Sequence, residues 1–516
     1  MPSGGQALRL GPFVGALNTL SDPSAIADVE LVDCVNFELD VDYSLLCRPP
    51  IVEVLDDTTL SERILLIGVA SIGSNIYVIG SNSHGVYYWV SNTWTLITNT
   101  FEAKAMVQYM DKAWLIAKPG STNPGGSWDG TTFTAISAMP KGEAATVHKE
   151  RLFVAAGPHA TTNASRLTFS NAGNFNTWTS TDFIDISPGD GQQLVDIIVY
   201  QDNILLFKQD STYVLAYDSK PAEAIVRKIS STLGATKCHC VVNYENSVFV
   251  YHEGEVYEII NYDFSRINTK VPFLFDPTSP GGASYTEDVF LSLFGDRLVV
   301  RYFNRVYVYG LRTRTWTRWA SASNKLHYFG PLVAFPSNLT VAVNDQYYAG
   351  SCINNQTNLI RINNGHDALN REKDIAQNVQ IECSIKTKNY DMAVSHQFKR
   401  LFWWGADILS ADTATGVATP VVATFKTTWA ELSTKKWNEL NTWEFPLTDL
   451  SAVTTPVASG SGVLRKFVKF LKGLRFRQIN FSVILTSNGL ISDGPARLYS
   501  LTAIVATKAV VTKGSN

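Results

Sequence analysis

YENSVFVYHEGEVYEII, residues 244–260, carries a polar turn, a strongly apolar strand VFVY (248–251), a second turn and another strand, EVYEII (255–260). Asn and Gly belong in such turns, because tight hairpins need positive φ or side-chain-to-backbone bonds. The same unit recurs from about residue 61 to 365. Its second strands read IYVIG (76–80), AWLIA (113–117), LFVAA (152–156), ILLF (204–207), VFVY (248–251), LVVRY (298–302) and YYAG (347–350). The turns before them are GSN, MDK, HKER, YQDN, YENS, FGDR and VNDQ. The steps between second strands, 37, 39, 52, 44, 50 and 49 residues, suit a four-stranded propeller blade of roughly 40–50 residues.

Third strands follow in most units: VYYWV (86–90), RLTFS (166–170), TYVLAY (212–217), EVYEII (255–260), RVYVYG (305–310) and NLIRI (358–362). Outer strands include WTLI (94–97), FTAI (133–136), FIDI (183–186) and TWTRWA (315–320). The expected fold is therefore all-β, an irregular β-propeller of about seven blades over 61–370. Six and eight stay open, because the last unit lacks a clear fourth strand. The Trp-Asp signature of WD40 blades does not recur; Trp128-Asp129 occurs once, read as a turn.

Composition agrees. Aromatics reach 11% and charged residues only 17%, well under the roughly 25% of ordinary soluble domains, and Tyr, Phe, Trp, Val and Thr favour strands. A net charge of -3 argues against a basic nucleic-acid binder. The cysteines Cys34, Cys47, Cys238, Cys240, Cys352 and Cys383 fit no common zinc spacing and read as buried free thiols. Cys238 and Cys240 would share a face if their run were a strand. The N-terminus MPSGGQALRLGPFVG has no secretion-signal pattern, and no run reaches the roughly 18 apolar residues of a membrane span, so no membrane span is expected.

The flanks differ from the repeats. Residues 1–60 form an arm, mostly extended, with Gly11-Pro12 and Asp22-Pro23 as breakers and a short helix expected over Ser24 to Leu31. The arm ends in the hairpin VNFEL–DVDY–SLLCR (35–48), closed by Pro49-Pro50. Residues 376–512 read as a separate, sandwich-like β domain with strands such as VQIECSIKT (379–387) and KRLFWWGAD (399–407). It contains a Trp-rich excursion, 428–445, whose Trp429, Trp437 and Trp443 suit either a local core or an interaction surface. It also contains RKFVKFLKGLRFR (465–477), where Arg465, Lys466, Lys469, Lys472, Arg475 and Arg477 alternate with phenylalanines. That pattern can hold nucleic acid through phosphates and stacking; its plainer reading is a strand or short helix with a solvated cationic face.

The search for chemistry is otherwise negative: no GxSxG, HExxH, P-loop or GxGxxG, and eight dispersed histidines without metal-ligand spacing. Neither a catalytic set nor a metal site is expected, nor any cofactor. The first strands, which line the channel of a propeller, show no clustered Asp, Glu or His in the sequence. SNAGNFNTWTSTDFIDISPGDGQQ (170–193) carries Asp182, Asp185 and Asp190, but turn chemistry accounts for Pro188 to Gly191 and the carboxylates do not fit an EF-hand loop.

GPFVGALNTLSDPSAIADVELVDCVNFELDVDYSLLCRPP (11–50) resembles the N-terminal region of phage tail proteins, in which an extended arm leads to an N-x-x-x-D hairpin ending in Arg-Pro. SNAGNFNTWTSTDFIDISPGDGQQLVDIIVYQDNILLFKQDSTYVL (170–215) resembles the mid-propeller segment of the same group, the nozzle (tail tubular protein B-like) and DNA-stabilisation proteins of short-tailed phages, with similar minor tail proteins in some long-tailed ones. The family pattern has Asp-Gly-Ser at the hairpin turn, where this chain has Val41-Asp42-Tyr43-Ser44. The resemblance implies a structural virion protein of the phage tail, assembled in the host cytoplasm and not an enzyme. It implies a hexameric ring of copies at the distal end of the tail channel, docked on an adaptor or portal-side ring, carrying tail fibres, with double-stranded DNA passing without sequence recognition. Two alternatives stand beside it: a host-receptor protein reading a cell-surface glycan, and a propeller glycosidase, which needs paired carboxylates at the propeller centre.

Overall fold

The computed structural model describes residues 6–10, 12–49, 51–57, 64–90, 93–157, 163–273, 289–302, 305–320, 333–335, 346–353, 356–363, 371–373, 378–390, 399–409, 413–421, 453–456, 463–476, 478–487 and 497–507. Among these, every regular element is a strand except a single 3-10 turn at Pro221–Glu223.

Turn chemistry organises the repeats. The hairpins joining first to second strands place both central residues at positive φ in Met110-Asp111 (48° and 52°), Lys149-Glu150 (45° and 59°) and Gln201-Asp202 (48° and 59°). Two positive φ values make a turn whose twist matches that of the flanking strands. Each hairpin then extends into a four-stranded antiparallel meander. The first sheet runs Leu65–Ile72, Asn75–Asn82, Gly85–Val90, Thr93–Thr98; the second Ala103–Tyr109, Lys112–Ala117, Gly126–Trp128, Phe133–Ala135; the third Ala144–His148, Arg151–Ala155, Arg166–Phe169, Phe183–Asp185. The fourth runs Leu194–Tyr200, Asn203–Lys208, Thr212–Ala216, Ile225–Ser230; the fifth Val241–Tyr244, Ser247–His252, Glu255–Ile260, Asp263–Arg266. The same order continues through Val289–Phe294, Arg297–Tyr302, Arg305–Gly310 and Thr315–Trp319.

The first strand of each sheet packs beside the first strand of the next, and Val333–Phe335 packs beside both Val289–Phe294 and Leu65–Ile72. The sheets thus form the closed ring of a β-propeller. Second strands are apolar throughout because both faces are covered by neighbouring sheets: Ile204, Leu205, Leu206 and Phe207 are all fully buried. Leu206 packs toward the third sheet with Phe153 and Leu167, and Leu205 toward the fifth with Val248 and Val250. Burying each such side chain contributes about 1.5–3 kcal/mol.

The unit around YYAG obtains its outer strand from far away in sequence. Val333–Phe335, Gln346–Ile353 and Gln356–Asn363 pair in order, and Gln356–Asn363 then pairs antiparallel with Ile51–Asp57. A fourth strand was invisible downstream because it lies upstream, in the segment read as arm. Trp128, expected on a turn, is the buried last residue of a strand, and only Asp129 lies on the turn. Residues 24–29 are turn and not helix: the Ser24 amide donates to Asp22 Oδ1 (2.8 Å), and a strand begins at Glu30. Residues 236–239 are likewise bend and turn, with His239 at φ 61°, so Cys238 and Cys240 share no strand face.

The hairpin Phe37–Leu39/Leu45–Cys47 is tied in by one buried polar hub. Arg48, fully buried, donates from Nε to Asn36 Oδ1 (2.8 Å), from Nη1 to the Pro49 carbonyl (2.9 Å) and from Nη2 to the Ala320 carbonyl (2.9 Å). Asn36 Oδ1 also accepts the Ala320 amide (2.8 Å), and Asn36 Nδ2 donates to the Glu382 carbonyl (2.7 Å). Glu30–Val35 pairs with Asn378–Thr387, which pairs in turn with Gln478–Ser487. A second sheet orders Val463–Phe476, Lys399–Leu409, Arg497–Thr507 and then the hairpin.

Candidate functional site

A β-bulge near the start of an inner strand re-aims the side chains around it. Among the described residues, three inner strands carry one. The register jumps between Leu66 and Gly68, between Ala103 and Ala105, and between Leu194 and Asp196. In the second strand set the extra residue is Lys104. Charged and titratable groups gather at this end of the inner strands: Glu102 and Lys104 from the second sheet, Glu143 from the third, Asp196 from the fourth, and Lys237, Cys238 and His239 from the turn entering the fifth.

Their contacts are specific. Glu102 bridges Lys104 (2.7 Å) and Lys118 (2.6 Å). Burial pushes the Glu102 carboxyl up, but the two ammonium groups outweigh it and hold it below the ordinary range. Burial also works against the Lys104 charge, which Glu102 and Glu143 overcome, leaving its pKa raised. The Cys238 thiol donates to Glu143 Oε2 (3.8 Å), and burial, with the Glu143 and Asp196 charges, drives it far above the thiol range. Burial, with Lys104 and Lys237, lowers His239 to about 4, so its imidazole is neutral at neutral pH. Burial raises Asp196 to about 7 although the Ile197 and His239 amides donate to its carboxylate. Asp196 and His239 keep some solvent access by surface area while desolvation dominates both.

This cluster can do limited chemistry. Asp196 can exchange a proton near neutrality, and the Glu102–Lys104–Lys118 group presents fixed charge to a polar solute. Cys238 is not an activated nucleophile, since the thiolate is the reactive form. Of these acidic and imidazole groups only Asp196 lies on a first strand; Glu102 and Glu143 each immediately precede one and His239 lies on the turn entering the fifth sheet, so the cluster forms beside the inner strands and not along them. Glu102 and Glu143 share a place one residue before their inner strands, in FEAKAM (101–106) and GEAAT (142–146), a signal that aligning the repeats at their strand starts would have found, whereas Asp196 is the third residue of its strand in LVDII (194–198).

The three aspartates of 170–193 diverge. Asp190 takes both bonds of a charge pair from Lys208 Nζ (2.8 Å to each oxygen), while Lys208 is 0% exposed and also donates to the Ser187 carbonyl (3.1 Å). Asp185 is held bidentately by Arg166 (2.8 and 3.0 Å) on the outer strands. Asp182 contributes its backbone carbonyl to the Phe169 amide.

Arg465, Lys466, Lys469, Lys472 and Arg475 lie on one strand, Val463–Phe476, at the end of its sheet's strand order beside Lys399–Leu409. The register jumps from Leu401↔Leu474 to Trp403↔Lys469, so Phe470 to Gly473 form an irregularity. Arg477, Trp429, Trp437 and Trp443 lie outside the described residues.

The sequence matches no family model and no curated protein. Solved structures with some likeness include the extracellular domain of a protein described as a hybrid two-component system from B. thetaiotaomicron (9% identity, TM-score 0.43, 69% of this chain). This chain spans 42% of that domain. The Neurospora crassa Pan2 WD40 domain is similar at 8% identity and TM-score 0.38, over 58% of this chain and 89% of that one. The AfRom2 CNH domain is similar at 5% identity and TM-score 0.37, over 58% and 94%. At these scores the likenesses carry no argument.

Proposed function

We propose that this chain is a structural protein of a bacteriophage tail, a copy in the nozzle ring through which genomic DNA is retained and ejected, built on a seven-bladed propeller. One observation carries the reading. The residues that bear the resemblance to phage tail proteins, Asn36 of the N-x-x-x-D hairpin and Arg48 of Arg-Pro, are buried at the hub that ties the hairpin to Ala320 and to Glu382. The motif therefore preserves an architecture and not a catalytic geometry. In this proposal copies of the chain form a hexamer docked to an adaptor ring and carrying fibres. The cationic strand Val463–Phe476 lies at its sheet's end, where weak phosphate contacts would hold DNA without sequence preference.

The test is a cryo-electron microscopy reconstruction of the virion in which this chain is traced. A ring around the tail axis, with Lys466 and Lys469 facing a DNA-sized bore, is expected. A peripheral position away from the axis overturns the nozzle reading and favours host-surface recognition instead.

A further inference from the structure

Two hairpin turns of the neighbouring fourth and fifth sheets come together. One is Lys208-Gln209-Asp210-Ser211, closing the second and third strands of the fourth sheet, where the Lys208 amide donates to the Ser211 carbonyl (2.8 Å). The other is His252-Glu253-Gly254-Glu255 in the fifth sheet, with Glu253 and Gly254 at φ 46° and 91°. The segment between the sheets fastens both. The Ala235 amide donates to the Lys208 carbonyl (2.9 Å), and the next amide, Thr236, donates to the Tyr251 carbonyl (3.2 Å). Thr236 Oγ1 accepts the Glu253 amide (3.0 Å). A Cβ at Gly234 would stand 2.1 Å from the Lys208 carbonyl oxygen, so the segment lies hard against the first turn.

This frame brings together a ring nitrogen of His252 and one carboxylate oxygen each of Asp210 and Glu253, all within 4.8 Å of one another. The two carboxylates are exposed; His252 is only 7% exposed and its Nδ1 is buried without a hydrogen-bond partner. A buried imidazole nitrogen without a partner loses its solvation with nothing in return. Two acidic oxygens beside such a ring form a donor set that a divalent cation satisfies.

We propose that Asp210, His252 and Glu253 bind a divalent transition ion of the zinc class, with water completing the shell. Imidazole favours zinc, cobalt, nickel and copper over magnesium or calcium. Zinc bonds of about 2.0–2.2 Å require the three atoms to close by about 1 Å, within reach of two exposed carboxylate side chains on fixed turns. The ion staples the fourth sheet to the fifth. The site stands independently of the phage-tail reading.

The test is calorimetric titration of the metal-free full chain with zinc chloride, alongside melting curves. One ion per chain with micromolar affinity and a melting point raised by several degrees are expected. Asp210→Asn, an exposed change that leaves the core intact, weakens binding tenfold or more, and His252→Ala abolishes it. Asp218→Asn, an exposed aspartate outside the cluster, leaves it unchanged. Cobalt(II) in place of zinc gives visible d–d bands that disappear in Asp210→Asn. Absence of binding in the wild type, or binding that survives both Asp210→Asn and His252→Ala, overturns the site.

Discussion

Lys208 and Arg48 are both fully buried cations, yet they secure different kinds of joint. Lys208 meets Asp190, eighteen residues earlier, across the turn between the third and fourth sheets. Arg48 meets Asn36 within the hairpin and the Ala320 carbonyl 272 residues away. The first is a charge neutralised by a nearby charge. The second is a charge spread over amide oxygens, with the Glu38 carboxylate, itself raised by burial, in Coulomb range. A local pair can hold one turn in place. A hub of shared amide bonds can join segments that have no other reason to meet.

The difference can be broken from either side. The largest effect is expected at the hub. Asn36→Ala removes the acceptor of Arg48 Nε and the Ala320 amide and the donor to the Glu382 carbonyl, and it places alanine at φ 59°. Orphaned buried groups cost roughly 1–3 kcal/mol each, so a loss of about 4 kcal/mol is expected in urea unfolding. Asn36→Gly relieves only the backbone share and should recover about 1 kcal/mol. A loss below 1 kcal/mol for Asn36→Ala would show that water replaces the amide and that the hub is not the joint.

Asp190→Asn comes next. It leaves Lys208 buried beside a neutral amide, and about 3 kcal/mol is expected from an unpaired buried charge. Burial pushes the Asp190 carboxyl up, but Lys208 and the Gln192 amide pull it down further, so its folded pKa lies below 3.8. The pair's stabilisation is therefore complete above that value and lost as pH falls through the depressed one. Asp185→Asn, at a partly exposed pair with Arg166, should cost less than about 1 kcal/mol. Equal losses at the two aspartates would refute the contrast between buried and outer-strand pairs.

The smallest effect has the opposite sign. Asp196 is raised to about 7, so the folded chain binds a proton that the unfolded chain releases near 3.8, and stability falls as pH rises between those values. Asp196→Asn should remove that slope. A gain on the order of 1 kcal/mol at pH 8 and none at pH 4 is expected in paired melts, after allowance for solvent. A gain that does not vary with pH would remove the proton from the explanation.

The hairpin VFVY–EVYEII was legible because strand, turn and period are local properties. The structure places Ser247–His252 and Glu255–Ile260 where those residues predict. So were the Gly and Asp of the PGDG turn. The Ser24–Leu31 helix was misread, since Asp22 caps a turn as readily as it caps a helix. The acidic and basic side chains at this end of the inner strands escaped notice because they come from four separate repeats, and only the closed ring brings them together.

By itself, then, the chain's residue order determined that it would be all-β, where its turns would lie, and which apolar runs would be covered on both faces, because backbone propensity and side-chain periodicity act within a few residues. Tertiary structure alone decided that Ile51–Asp57 would pair with Gln356–Asn363, that Asn36 would serve Arg48, Ala320 and Glu382 at once, and that Asp210 would lie beside His252. Those meetings follow from ring closure, which depends on how whole sheets pack, and no local pattern encodes it.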